Sequence, residues 1–413
     1  MTIFLLALLS LAAWLYLALF YGHFWRSSPE LPPALSTNAR KIAVVIPARD
    51  EAESIEPCLR SLLAQQIDAE LTILLVDDNS TDSTAQIATR IVAEAATQGR
   101  LTILHGAPLA PGWSGKLWAV HQGLSHPAAQ VADYIMLTDA DIQHAPTHLA
   151  RLVTKAEKEK KDLVSEMVRL HCETRSERAL IPAFIFFFQM LYPFAWVANS
   201  ARRTAGAAGG TMLLSRAALD RIGGVQSIRN ALIDDCTLAA HVKNSGGTIW
   251  LGHADDTCSL RIYSGPSEIW NMIARTAYVQ LNHSLLALAG CILGMTLLYL
   301  LPPALTFFSL CKAVPAFSLA HAPGAPFMAA FFADMSGIHG THLAGIVALT
   351  TWFLMAALFL PTLHRYRRSP LWGLALPAIA LFYLCATIAS AIRHYAGRGG
   401  GWKNRVYPPS PSA

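Results

Sequence analysis

Three segments of the chain end an apolar run in acidic or polar residues. Residues 44–53 read VVIPARDEAE, residues 74–82 read LLVDDNSTD and residues 134–143 read YIMLTDADIQ. A buried strand that stops at Pro47 and continues into Ala48, Arg49 and Glu51 puts polar groups at a carboxyl edge, where open α/β sheets bind ligands. The second segment repeats this with Asp77 and Asp78, followed by an Asn-Ser-Thr-Asp turn able to cap a helix. In the third, Asp139 and Asp141 are spaced i, i+2 across a turn and can face one side. Hard oxygen ligands of that kind suit Mg²⁺ or Mn²⁺ carrying a diphosphate. Each segment alone is compatible with a solvated loop after a strand. Three acidic strand ends in order across residues 44–143 are much harder to obtain by chance.

Three further segments carry groups of interest. Residues 111–116, PGWSGK, are not a P-loop, because Ala110 stands where glycine is needed and Leu117 where Ser or Thr is needed. A Gly-rich turn ending in Lys116 can still offer backbone N–H groups and one cation to a phosphate; an exposed turn is the alternative. Residues 205–212, AGAAGGTM, include Gly209 and Gly210 and allow another group to approach the backbone closely, or allow tight helix packing. Asp234 and Asp235 open a helical pattern, where the helix N-terminus stabilises carboxylates. Helix capping is the alternative use of that pair.

The elements that must position these groups follow from the distribution of charge. Hydrophobic residues make up 53% of the 413 and charged residues 14%, against about 25% charged in an ordinary soluble chain. Disorder, collagen and small disulfide scaffolds are thereby excluded. A net charge of +5 is too weak on so apolar a chain to argue for nucleic acid, and suits an anionic membrane surface better. The seven cysteines form no CxxC pair, so neither a zinc site nor a disulfide framework is indicated. Residues 1–25 contain no charged side chain and read as an uncleaved transmembrane anchor, since no basic segment precedes the apolar run. Arg26, Arg40 and Lys41 follow it, which places the next domain in the cytoplasm. Residues 41–283 read as a globular α/β domain. Its apolar runs 42–46, 71–76, 101–104 and 134–137 alternate with helical patterns, which implies a mostly parallel sheet with helices on both faces. Residues 284–392 hold three or four apolar spans, with Pro302 and Pro303 marking either a tight hairpin or one long kinked helix. Residues 393–413 form a basic tail. Within the globular domain, residues 181–197 are aromatic and uncharged, which suits a helix lying in the membrane interface; a buried core segment is the alternative.

Over residues 41–283 these motifs resemble the family 2 inverting glycosyltransferases, which have the GT-A fold. The resemblance implies that Pro47, Ala48, Arg49, Glu51 and Asp78 bind the nucleotide base and ribose, and that Asp139 and Asp141 hold a metal and the sugar-nucleotide diphosphate. Residues 139–143, DADIQ, are also similar to the polyprenyl-phosphate sugar synthases, where Gln143 would join the metal shell. By the same resemblance Lys116 lines the donor site, Gly209 and Gly210 floor the sugar and acceptor site beside Asp234, and Asp235 is the base that deprotonates the acceptor hydroxyl. The family's Q/R-x-x-R-W motif is reduced here to Arg275, with Trp270 out of register. That departure argues against a long-chain polysaccharide synthase, while Arg275 could still steady a leaving diphosphate. The order of anchor, GT-A domain, apolar helices and a tail containing Trp402, Lys403 and Arg405 resembles the hopene-associated glycosyltransferases, relatives of the ceramide and carotenoid glucosyltransferases. The function this implies is a multi-pass enzyme of a bacterial-type inner membrane with its catalytic domain in the cytoplasm. It would use Mg²⁺ or Mn²⁺ to transfer a sugar, expected from a UDP-sugar, to a membrane lipid acceptor in hopanoid biosynthesis. A polyprenyl-phosphate sugar synthase and a non-catalytic scaffold of a lipid-synthesis complex are the alternatives.

Overall fold

The computed structural model describes residues 1–27, 29–94, 99–320, 339–397, 401–402 and 405–406. They form two compact units. One holds residues 28–174, 192–264 and the chain from 393 onward; the other holds 1–27, 175–191 and 265–392. The contiguous domain expected over 41–283 is therefore interrupted, for a reason that lies in the helix at 175–191 and is given below.

Helix α1 (Thr2–Phe20) opens the chain and belongs to the second unit. The first unit then alternates strand and helix: β1 (Lys41–Ala48), α2 (Ile55–Leu63), β2 (Glu70–Asp77), α3 (Thr84–Ala93), β3 (Leu101–His105), α4 (Gly115–Leu124), α5 (Pro127–Gln130) and β4 (Tyr134–Leu137). A turn leads to the two-residue β5 (Ile142–Gln143), then to α6 (His148–Glu159) and β6 (Leu163–Arg169). After α7 (Arg175–Leu191), a member of the second unit, come α8 (Phe194–Ala198), β7 (Met212–Ser215), α9 (Arg216–Arg221), α10 (Asp234–Asn244) and β8 (Ile249–Ser259).

The sheet has the order β3-β2-β1-β4-β7-β6-β8-β5. Its first half is parallel, as continuous apolar strands imply: β1 lies between β2 and β4, and β3 flanks β2. The second half is mixed. Strand β7 runs antiparallel to both β4 and β6, β6 and β8 are parallel, and β5 is antiparallel to β8. Seven of the eight residues of β1 are buried, which only a sheet covered on both faces requires. On one face Ile42, Val44 and Ile46 pack with Ile55, Leu59 and Leu62 of α2 and with Leu149 and Leu152 of α6. Each such side chain contributes about 1.5–3 kcal/mol on full burial. On α4 a Cβ at Gly123 would lie 2.5 Å from Val45 Cγ1 and 3.1 Å from Val76 Cγ2. Only glycine allows that helix so close to β1 and β2, and the approach fixes where the first turn of α4, with Lys116, meets the strand ends.

The second unit is helical: α1 and α7, with α11 (Pro266–Gln280), α12 (Leu285–Met295), α13 (Leu301–Ala320), α14 (His339–Arg365) and α15 (Leu376–Tyr395). Residues 181–197 fall in α7 and α8, and two phenylalanines of α7 turn toward other helices of its unit, as the buried alternative implies. In α7, Phe186 meets Phe24 (5.3 Å) and Phe359 (5.1 Å) at tilted angles, and Phe187 meets Tyr299 (5.5 Å) and Tyr383 (4.9 Å) edge to face. This inward aromatic face is why α7 leaves the sheet unit. Pro302 and Pro303 sit inside one long helix, not a hairpin. A π-turn at Thr296–Leu300 joins α12 to α13. Prolines lack the N–H groups that carbonyls one turn earlier need, and α1 supplies the substitutes: Ser10 Oγ donates to Leu297 O and Trp14 Nε1 to Leu298 O, both at 2.8 Å. Among the described residues, five stretches are long and apolar enough to cross a bilayer: 2–20, 175–198, 285–312, 341–365 and 376–395. Two of them fall within 284–392, and a third, 376–395, runs just past it. A short backbone hairpin, β9 (Gly401–Trp402) with β10 (Arg405–Val406), ends the described chain. Lys403 of the tail motif lies outside the described residues.

Candidate active site

The carboxyl edge of the parallel strands carries two corners. At the first, the loop after β1 is laced to the loop after β2. Asp78 N–H donates to Ala48 O (2.8 Å), and the Arg49 guanidinium donates to Asp78 O (2.5 Å) and Asn79 O (3.3 Å) while lying 3.8 Å from Asp78 Oδ2. Asp50 Oδ1 accepts from Thr81 N–H (2.7 Å), and Asp82 accepts from Ala52 N–H (3.0 Å) and Thr84 N–H (2.9 Å). Asp50 and Asn79 both adopt left-handed backbone, φ 53 and 54, which Asp and Asn tolerate better than most residues. Asp78 and Ala48 are fully buried, whereas Glu51 is half-buried beside Ser54 Oγ (3.3 Å). Arg49 Nε is buried and meets no acceptor, which leaves one directed donor at this corner.

At the second corner, β4 ends in Thr138 and Asp139, α4 brings Lys116, and α10 brings Asp234 and Asp235 in its first turn. Lys116 Nζ lies 2.8 Å from Asp139 Oδ1 and 3.0 Å from Asp234 Oδ2. Burial alone would depress its ammonium, yet the charges of Asp139, Asp234 and Asp235 override this and hold it above the ordinary lysine value. Asp235 Oδ2 accepts from Gly209 N–H (2.9 Å) and Oδ1 from Cys236 N–H (2.7 Å). Burial pushes its carboxyl up and the Asp234 charge adds to that. Lys116 and the two N–H groups pull it back, leaving it raised from 3.8 to about 6. A Cβ at Gly209 would sit 3.3 Å from Lys116 Nζ, 3.4 Å from Asp235 Oδ2 and 3.6 Å from Asp139 Oδ2. Glycine thus leaves open a cradle that three charged groups face. The cavity here is also lined by Pro47, Leu117, Ile228 and Leu238.

Asp141 follows in the turn between β4 and β5. Its backbone carbonyl accepts from Leu260 N–H at 2.7 Å. It shares a neighbourhood with Asp139, because the fully buried Cys58 thiol is pushed up first by burial and then by the charges of Asp141, Asp139 and Glu51. Gln143 is exposed on β5, opposite Cys258. Among the described residues no three His, Cys, Asp or Glu side chains converge into a preformed ion cage. Asp139 and Asp141 offer carboxylate oxygens at an edge that already accepts the Lys116 charge. That donor set fits Mg²⁺ or Mn²⁺ held by one or two carboxylates and completed by phosphate oxygens.

The structure therefore brings together Pro47, Lys116, Asp139, Gly209 and Asp234 around one cavity, with Asp235 tied to it through the Gly209 N–H and Asp141 near Asp139. It does not bring Gly210 to that cavity as an open surface: a Cβ there would lie 3.0 Å from Val168 Cγ2 and 3.3 Å from Ile142 Cδ1, so Gly210 is needed for packing. Arg275 is exposed on α11 in the other compact unit. The sequence reading missed Thr138 and Ile228 as lining residues. Thr138 was legible as the neighbour of the Asp139–Asp141 pair, whereas nothing marks Ile228 before folding.

Residues 43–223 match the family described as glycosyl transferase family 2. The chain thus carries a family 2 glycosyltransferase domain, and the match ends before α10 and its two acids. The undecaprenyl-phosphate 4-deoxy-4-formamido-L-arabinose transferase of Sodalis glossinidius is 35% identical over 118 residues, 28% of this chain and 33% of that protein. The transferase of the same name from Salmonella paratyphi A is 32% identical over 120 residues, 29% of this chain and 34% of that protein. The chain thus spans about a third of the length of the curated relatives it matches. Among solved structures, the mannosyltransferase PcManGT from Pyrobaculum calidifontis, in complex with GDP-Man and Mn²⁺, is similar at a TM-score of 0.51 and 17% identity, covering 95% of this chain and 99% of that one. At that identity the likeness shows the fold alone, which is GT-A-like with added apolar helices.

Proposed function

We propose that this protein is a membrane-bound inverting glycosyltransferase that moves a sugar from a nucleotide-sugar to a membrane lipid acceptor. The observation that carries this reading is the Lys116–Asp139–Asp234–Asp235 cluster around Gly209, in which one carboxyl is raised to about 6 and aimed by two backbone N–H groups. A carboxylate poised there can take the acceptor hydroxyl proton at neutral pH. The acceptor oxygen bonds to the anomeric carbon as the bond from that carbon to the diphosphate breaks, and the electron pair leaves with the diphosphate. Inversion follows from displacement on the opposite face. Lys116 offsets negative charge developing on the leaving group, and Arg49 with the buried Asp78 forms the corner where we place the nucleoside, with Glu51 beside it. Asp139 and Asp141, with Gln143 as a further oxygen donor, would hold Mg²⁺ or Mn²⁺. When bound, that ion neutralises diphosphate charge.

A UDP-sugar donor and a hopanoid acceptor are the finer proposals, and both rest on the family resemblance of the motifs. So does a cytoplasmic placement of the catalytic domain at a bacterial-type inner membrane. A second reading has a specific observation behind it: the curated relatives are named for undecaprenyl-phosphate. A phosphate acceptor is already anionic and needs no base, so the fate of Asp235→Asn separates the two. The experiment is transfer in native membranes from radiolabelled UDP-glucose, UDP-N-acetylglucosamine and GDP-mannose, with and without EDTA, followed by mass spectrometry of the lipid extract. A sugar-bearing lipid that disappears with EDTA and in Asp141→Ala supports the proposal and names both substrates. No turnover of any donor by folded protein would favour the scaffold reading.

A further inference from the structure

Beneath the Asp139 strand end runs a chain of buried polar side chains that the reaction does not use. Glu166 of β6, His148 of α6, His144 and Thr138 are at most 4% exposed. Their links are short: Glu166 Oε2 to His148 Nε2 at 2.9 Å, His148 Nδ1 to His144 Nδ1 at 3.0 Å, and His144 Nε2 to Thr138 Oγ1 at 3.1 Å. The last member, Thr138 Oγ1, reaches Gly210 O at 2.8 Å.

Hydrogen-bond bookkeeping gives this chain a direction. A carbonyl only accepts, so Thr138 spends its single proton on Gly210 O and must accept from His144 Nε2–H. His144 Nδ1 is then bare and accepts from His148 Nδ1–H. His148 Nε2 and Glu166 Oε2 share the remaining proton, whichever of the two carries it. The tautomers thus follow from the network itself.

The far end of the chain is a pair of glycines. Gly209 and Gly210 have no side chains to hold their turn, and the local bonds from Thr211, N–H to Ala208 O (3.2 Å) and Oγ1 to Gly210 O (2.7 Å), are supplemented from outside. Strand β6 does so from both of its faces, since successive side chains alternate. Ser165 Oγ accepts from Ala208 N–H (2.9 Å) and donates to Thr211 O (2.8 Å) directly. Glu166, on the opposite face, reaches Gly210 O through the relay. The next amide back, Gly209 N–H, is the one that points at Asp235 Oδ2.

We propose that Glu166, His148, His144 and Thr138 are positioning residues for glycosyl transfer, holding the Gly209–Gly210 turn so that its N–H stays on Asp235. The part that concerns catalysis rests on the reading of Asp235 as the base; the bracing of the turn does not.

The test uses the full chain in detergent micelles as wild type, Thr138→Val, Thr138→Ser and Glu166→Leu, with amide hydrogen exchange read by mass spectrometry. Thr138→Val keeps the shape and loses the hydroxyl. Exchange across residues 206–212 should quicken roughly tenfold in Thr138→Val and in Glu166→Leu, as expected for one broken buried hydrogen bond. Thr138→Ser should restore protection. Faster exchange in Glu166→Leu confined to residues 144–166, or wild-type protection of 206–212 in Thr138→Val, would overturn the proposal. If Glu166→Leu does not accumulate, Thr138→Val decides alone. Transfer from whichever of the three labelled donors is used gives a second readout. Thr138→Val should lower kcat about tenfold with donor KM within about threefold, because the turn orients Asp235 and does not hold the donor. An active Asp235→Asn would remove the base reading and leave the exchange result standing, so the two failures are distinguishable.

Discussion

The two corners of the sheet edge handle charge in opposite ways. Where β1 and β2 end, charged groups are met by neutral partners on the facing loop: Arg49 by the Asp78 and Asn79 carbonyls, with its Nε left over, Asp50 by Thr81, Asp82 by Ala52 and Thr84. Where β4 ends, one ammonium serves Asp139 and Asp234 and offsets Asp235, whose carboxyl is displaced to about 6. Hydrogen bonds that lace two loops together rigidify and shape. A crowded charge cluster leaves a group whose proton is easily moved. On the proposed reading the first corner holds the nucleoside and the second reacts.

The contrast can be broken at several points, with effects that should decline in order. Asp235→Asn should cost about 10²–10⁴ in kcat, the range of a positioned general base, with nucleotide-sugar affinity by calorimetry unchanged. Lys116→Met should cost about 10²-fold in kcat/KM. Because Lys116 pulls the Asp235 carboxyl down, its loss should also move the acid limb of the rate profile upward from about 6. Gly209→Ala places a methyl among Lys116, Asp235 and Asp139 and should reduce turnover roughly tenfold while the thermal midpoint stays near wild type. Arg49→Lys, at the first corner, should raise donor KM and lower stability by about 1–2 kcal/mol in chemical denaturation, leaving kcat close to wild type.

Stability and activity should also respond to pH in opposite senses. The folded carboxyl of Asp235 binds its proton more tightly than the unfolded one, with values of about 6 against 3.8. This group therefore favours the fold at low pH, and that contribution fades as pH rises from about 4 through about 6. Base catalysis gains over the upper part of the same window. Thermal midpoints of wild type and Asp235→Asn measured across pH 4–7 check the sign, since the wild-type curve alone should carry this loss.

Much of the first corner was legible in the sequence. Strands β1 to β4 are unbroken apolar runs, and a run buried on both faces needs no tertiary information to recognise. The second corner was only partly legible. Lys116, Asp139 and Asp235 could each be picked out as residue types, but their meeting depends on Gly123 letting α4 down onto β1. Strands β7 and β8, and β5 with two residues, carry no period of their own and exist through their partners. Helix α7 was ambiguous because an aromatic, uncharged run looks the same whether lipid or other helices cover it. Phe24, Phe359 and Tyr383, which settle the matter, lie far from it in sequence. The Glu166 relay left only a faint mark, the i, i+4 spacing of His144 and His148.

The most direct test of the catalytic reading is the pH dependence of kcat for sugar transfer into lipid, measured on native membranes with wild type, Lys116→Met and Asp235→Asn. The predicted result is an acid limb near 6 in wild type, a higher limb in Lys116→Met, and transfer lost in Asp235→Asn with donor binding intact. A wild-type profile without that limb, or full transfer by Asp235→Asn, would contradict it.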